Sequence, residues 1–174
     1  MIDIFTLLII LSAAGLLITL TIIDFKTFLL PNIYVFPFAA LGLLFHLCTD
    51  FDLLGIEQII IGGLAGYGIL YIIRAAGNKY YGQDSLGLGD VKLMGAAGLW
   101  LGLDGVLISM TAGAFLGLVH GLIYALYRSI KTKKKISIAR LAIPAGPGFC
   151  IAIIGAFIWL YYDFLIRLFY NLFV

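Results

Sequence analysis

Apolar runs about as long as a bilayer is thick, broken by short charged or Gly/Pro-rich segments, constrain this chain more than any other feature. A hydrocarbon core about 30 Å thick takes about 20 apolar residues to cross as a helix. At that depth every backbone polar group must be satisfied internally, which continuous helices achieve. The runs cover roughly 4–23, 33–49, 54–74, 90–103, 105–127 and 147–170, and predict an all-α membrane protein, a bundle of about six transmembrane helices. Composition agrees: 63% of the residues are hydrophobic and 11% charged. Soluble domains carry about 45–50% apolar and about 25% charged residues. The 174 residues suit a single domain spanning 1–174. The first run has no basic n-region and is long enough to span. It therefore reads as a retained helix and not a cleaved signal peptide.

Charge gives the orientation. The 11 lysines and arginines, except Arg167, fall in or beside the first, third and fifth breaks. By the positive-inside rule those breaks are cytoplasmic, and a plasma (inner) membrane location follows. Asp3, Asp50, Asp52, Glu57, Asp104 and Asp163 lie toward the other side, where both chain ends are also expected. The net charge of +2 and the lack of a basic patch interleaved with aromatics argue against nucleic acid. The basic stretch 128–140 reads as a solvated loop suited to anionic lipid.

Cys48 and Cys150 lie singly in apolar stretches. They form no CxxC pair, so no metal site is expected, and both read as small core residues. Gly62 and Gly66, Gly98 and Gly102, and Gly113, Gly117 and Gly121 recur one helical turn apart. Small residues so spaced let membrane helices approach closely, either inside the bundle or across a homo-oligomer face.

Three acids lie on the basic side: Asp24, Asp84 and Asp90. Acids near membrane depth are costly and mark functional sites. Asp84 sits in the polar loop Gly82-Gln83-Asp84-Ser85 and reads as solvated. Asp90 follows Gly87-Leu88-Gly89 and opens a short run. A helix of about 14 residues is about 21 Å long, less than the bilayer core. Either the bilayer thins there or the helix starts below the surface, which puts Asp90 at membrane depth, where irregular backbone is tolerated if it lines a cavity. Asp24 closes the first run on the same side, so the two acids can meet. Two carboxylates close together in an apolar setting share a proton. The ionised member can take a proton from water while the protonated one polarises a peptide carbonyl. Taken singly, each Asp also suits a helix end or a partner for Lys26 or Lys92.

Other constellations are weaker. His46 and His120 lie far apart in apolar runs and read as hydrogen-bonded packing residues. Gly87-Leu88-Gly89 is too short for a dinucleotide fingerprint. Ser12, Ser85, Ser109, Ser129 and Ser137 have no GxSxG setting. No cofactor is called for.

Asp24-Phe25-Lys26-Thr27-Phe28-Leu29-Leu30-Pro31-Asn32 resembles the first aspartate motif of the type IV prepilin peptidases. Ser85-Leu86-Gly87-Leu88-Gly89-Asp90-Val91-Lys92 resembles their GxGD motif, and the run Gly95 to Gly102 continues it. Ile143-Pro144-Ala145-Gly146-Pro147 resembles a third segment of that family, and the three occur in family order. The resemblance implies an aspartic endopeptidase with Asp24 and Asp90 as its catalytic pair. It implies removal of a short basic leader from prepilin-like or preflagellin-like membrane proteins at the cytoplasmic face. Pro31, Asn32, Gly87, Gly89, Lys92, Pro144, Gly146 and Pro147 are then expected to shape the loop and cleft. Lys92 has three readings: tuning Asp90, meeting a lipid phosphate, or snorkelling.

Long family members carry an N-terminal region with paired CxxC motifs associated with methylation. This sequence opens on its first catalytic helix, so a short, peptidase-only form is expected. Asn32 stands where the long forms often have Asp, and Ala145 where they often have an aromatic residue. Three rivals remain at this point. One is another GxGD protease, although Ile23 precedes Asp24 and no Pro-Ala-Leu occurs. The others are a proton-coupled transporter and a non-catalytic scaffold.

Overall fold

A computed structural model describes residues 2–132 and 144–173. The described residues form six helices: α1 (Ile2–Thr27), α2 (Asn32–Cys48), α3 (Ile56–Tyr81), α4 (Leu88–Thr132), α5 (Gly146–Leu160) and α6 (Tyr162–Phe173). No strand occurs among the described residues. By length and composition α1, α3 and α4 can cross a membrane, and α5 with α6 adds a fourth candidate if the bent pair is one span. The shorter α2 is also apolar. The all-α membrane bundle read from the sequence is therefore the fold.

The runs 90–103 and 105–127 lie on one helical element, α4, which reverses at Gly102. There φ is +65°, in the left-handed region that glycine reaches without a Cβ clash. The reversal is visible from α3. A Cβ built at Gly66 would meet the Met94 carbonyl and also lie 2.9 Å from Val106 Cγ2. In a straight helix those two residues would be about 18 Å apart. The outward and returning arms are thus the two runs the sequence separates.

Glycines make this close packing possible, and the partners are intramolecular. A Cβ at Gly62 would lie 2.6 Å from the Gly98 carbonyl oxygen and 2.7 Å from Gly102 Cα. One at Gly148 would lie 2.9 Å from the Gly113 carbonyl oxygen. Of the two readings of the glycine spacing, helix packing within the bundle accounts for these positions. Gly98→Ala drives a methyl into the Gly62 backbone, which no rotamer change relieves. We expect a loss of about 1–3 kcal/mol, as for an overpacked core, read as a lower melting temperature in detergent. An unchanged melting temperature would mean the seam is loose.

The reversal also frees carbonyls in the preceding turn of α4. That of Trp100 accepts from Tyr161 Oη at 2.7 Å and pairs with His46 Nε2 at 3.1 Å. A carbonyl only accepts, so Nε2 carries the hydrogen. Trp100 Nε1 in turn donates to the Phe38 carbonyl at 2.8 Å. Phe38, Phe45, Phe157 and Tyr161 stack or abut around these groups. His46 is therefore the hydrogen-bonded packing residue the sequence suggests.

The sixth run does differ from the sequence reading. Instead of continuing over 147–170, it breaks at Tyr161, and α6 bends 75° away from α5. The reason lies in α6 itself. Tyr161, Phe164, Leu165 and Leu168 share the face turned to the bundle, while Asp163, Arg167 and Asn171 lie on another, exposed face. Helix spacing with a polar stripe makes α6 amphipathic, unlike the uniformly apolar α5. Most of the basic stretch 128–140 lies outside the described residues.

Candidate active site

The ends of α1, α2, α4 and α5 that carry the sequence motifs gather at one end of the bundle. After α1, Phe28 adopts φ +56° and turns the chain. Leu30, 8% exposed, then folds back onto the start of α4. A Cβ at Gly89 would lie 2.7 Å from Leu30 Cβ and 3.2 Å from the Leu30 carbonyl oxygen. Gly89 is thus required by the close approach of the loop that follows Asp24.

Asp24 and Asp90 are both buried, at 4% and 8% exposure. The two carboxylates lie within electrostatic reach of each other. Each faces the backbone N–H of a glycine. Gly146, the first residue of α5, donates to Asp24 Oδ2 at 3.0 Å. This satisfies one of the N–H groups that a helix start leaves orphaned, and the positive end of the helix faces the acid. Gly87, preceding α4, turns its N–H toward the Asp90 carboxylate, which packs directly against it. That is the arrangement of a capping box, in which the acid three residues into a helix reaches the cap residue's own N–H.

Neither glycine has room for a side chain. A Cβ at Gly146 would lie 2.7 Å from Asp24 Oδ2, and one at Gly87 would lie 2.7 Å from Asp90 Oδ2. Capping therefore engages one oxygen of Asp90. Its Oδ1 is buried without a hydrogen-bond partner among the described residues. Beside the pair sits Cys150, 1% exposed and one turn beyond Gly146. Its thiol lies beside Thr21 and within electrostatic reach of both acids.

The remaining residues singled out from the sequence divide into two groups. Lys92 Nζ donates to Asn32 Oδ1 at 3.1 Å, tying the start of α4 to the start of α2. Pro31 is the N-cap of α2, and Pro147 lies in the first turn of α5. Pro144 and Ala145 precede α5 and are half-buried. Asp84 is exposed, but it is not merely solvated: Arg74 Nη2 approaches its Oδ1 at 2.6 Å. The sequence reading missed Leu30, Arg74 and Thr21. Leu30 could have been found as the apolar residue placed directly before Pro31. Among the described residues, no three His, Cys, Asp or Glu side chains cluster as metal ligands.

Along the faces of α1 and α5 that carry Asp24 and Gly146, a cavity of about 210 Å³ opens further into the bundle. Its walls include Ala13, Leu17, Ile153 and Phe157, and it is almost wholly apolar. Leu17 is about two helical turns from Asp24 on the same face.

A multi-pass helical membrane protein with two buried, backbone-held acids at one end of its bundle is the class these features define. Residues 11–122 match the sequence profile of the type IV leader peptidase family, and the chain belongs to that family. The match spans Asp24 and Asp90 but not the segment from Pro144 to Pro147. A protein of Pectobacterium carotovorum subsp. carotovorum named prepilin leader peptidase/N-methyltransferase is 36% identical over 121 residues, 70% of this chain and 43% of its own. An Aeromonas hydrophila protein of the same name is 37% identical over 147 residues, 82% of this chain and 46% of its own. A third from Dickeya chrysanthemi is 30% identical over 142 residues, 81% of this chain and 50% of its own. The chain spans about half the length of the curated relatives it matches. No solved structure matches it significantly.

Proposed function

We propose that residues 1–174 form one integral-membrane aspartic endopeptidase that removes the basic leader from prepilin-like proteins at the cytoplasmic face. The observation that carries this reading is the meeting of Asp24 and Asp90, from separate helices, in one buried place. A shared proton makes one acid the base and the other the acid. The base takes a proton from water, and the water oxygen attacks the scissile carbonyl carbon. The other acid donates its proton to the carbonyl oxygen. The resulting diol collapses as a proton passes to the leaving amine. The Gly87 and Gly146 N–H groups orient the carboxylates throughout, so little reorganisation accompanies reaction.

Topology supports the cytoplasmic face. Lys26, Arg74, Lys79 and Lys92 lie at the end of the bundle that holds the acids, as the positive-inside rule requires of that side. The apolar cavity suits the hydrophobic segment that follows a leader, placing it along α1 and α5 beyond the acids. A transporter reading would want acids at mid-depth, whereas this pair sits at one end.

The test is co-expression with a prepilin bearing a basic leader and a Gly-Phe junction. We expect mass spectrometry to show the product shortened by the leader. Uncut product from a panel of such prepilins, with the peptidase folded in the membrane, would sink the proposal.

A further inference from the structure

The peptide unit joining Leu86 to Gly87 is held from both sides. Its carbonyl accepts from Arg74 Nε at 2.9 Å. Its N–H belongs to Gly87, where an added Cβ would lie 2.7 Å from Asp90 Oδ2, so this peptide plane packs directly against the Asp90 carboxylate and turns its N–H toward it. We infer that Arg74 is a positioning residue for Asp90, fixing through this single peptide plane the N–H that orients the carboxylate. The inference rests on the reading of Asp90 as catalytic.

The surroundings explain why a clamp is needed there. The loop begins at Gly82, where φ is +67°, and ends at Gly87, so both ends are conformationally free. Arg74 spans it with one rigid guanidinium. Nε holds the Leu86 carbonyl while Nη2 bonds Asp84 Oδ1 at 2.6 Å. Asn78 completes the clamp. Its Nδ2 donates to Asp84 Oδ1 at 2.9 Å, and its Oδ1 accepts from the Ser85 N–H at 2.7 Å. The loop lies close against α3, because a Cβ at Gly77 would sit 2.9 Å from Ser85 Cβ. A charged donor on a carbonyl polarises the peptide and strengthens the bond its N–H makes.

Lysine cannot substitute. An ammonium keeps the charge facing Asp84 but lacks the planar fork that reaches carbonyl and carboxylate together. The test compares Arg74→Lys with Asp84→Asn in the full chain, purified in lipid, against a prepilin substrate. For Arg74→Lys we expect kcat to fall roughly ten- to a hundredfold with KM unchanged, the scale of a misplaced catalytic group. Asp84→Asn leaves Nε on Leu86, so its kcat should stay within about fivefold, the scale of an exposed ion pair. Amide exchange at Gly87 provides a readout independent of cleavage, and it should quicken at least about tenfold in Arg74→Lys. Unchanged Gly87 exchange in Arg74→Lys overturns the inference whatever the activity. Equal losses of kcat in both variants, with lowered melting temperatures, overturn it in favour of a purely structural clamp. If wild type cuts no prepilin while Gly87 exchange responds as expected, the clamp stands and the peptidase reading fails.

Discussion

Asp24→Asn and Asp90→Asn are each expected to remove leader cleavage almost completely, by about 10²–10⁴-fold in kcat. Asparagine keeps the shape of the side chain and an oxygen able to accept the Gly146 or Gly87 N–H. It cannot carry the proton that peptide hydrolysis passes between water, carbonyl and leaving amine. Folding should therefore survive while chemistry stops. Burial sharpens the expectation, because neither acid is exposed enough for bulk water to replace its function. The check is leader loss by mass spectrometry with membrane-inserted protein quantified in parallel. Full activity in either variant would remove that acid from the mechanism. The double variant should be no worse than either single one, since a pair that works as a unit is lost when one member goes.

Gly146→Ala is expected to cost nearly as much while leaving both acids in place. The added methyl falls 2.7 Å from Asp24 Oδ2 and 2.9 Å from its Cγ. The carboxylate must move, and with it the bond from the Gly146 N–H. A displacement of this kind lowers kcat by about a hundredfold, without touching an ionisable group. Alanine favours a helix more than glycine does, so α5 itself should not be weakened. The measurement is kcat alongside thermal unfolding in detergent. Lost activity at an unchanged melting temperature supports the geometry. Retained activity would show that Asp24 does not depend on that N–H.

Most of the fold was legible in the sequence because it depends on quantities that add along the chain. Apolar length in the runs beginning at Ile4, Ile33 and Leu54 specifies helices wherever a bilayer removes water from the backbone. The grouping of Lys26, Arg74, Lys79 and Lys92 likewise specifies one side. The sixth run was misread as continuous because mean hydropathy is insensitive to where polar residues fall on the helix. Asp163, Arg167 and Asn171 contribute little to the average, yet they make one face of α6 polar.

The candidate acids were legible for a related reason. Carboxylates at membrane depth are costly, and Asp24 and Asp90 stand out as a pair on one side, each near a recognisable Pro or Gly motif. The contacts that hold them were not legible. Gly146 reads as an ordinary helix start until α5 is packed against α1, when its orphan N–H finds Asp24. Lys92 offered three readings, and the structure pairs it with Asn32, from the loop end of another helix. Arg74 and Asp84 read as surface charges until the loop between α3 and α4 folds back over them.

The sequence by itself thus determined the helices and singled out the two acids as candidates, since length and burial cost are properties of single segments. Only the tertiary structure decided the reversal at Gly102, the bend before α6 and the glycine N–H groups that aim the carboxylates. These depend on backbone atoms of separate helices coming within about 3 Å, a distance fixed by packing and absent from any one segment.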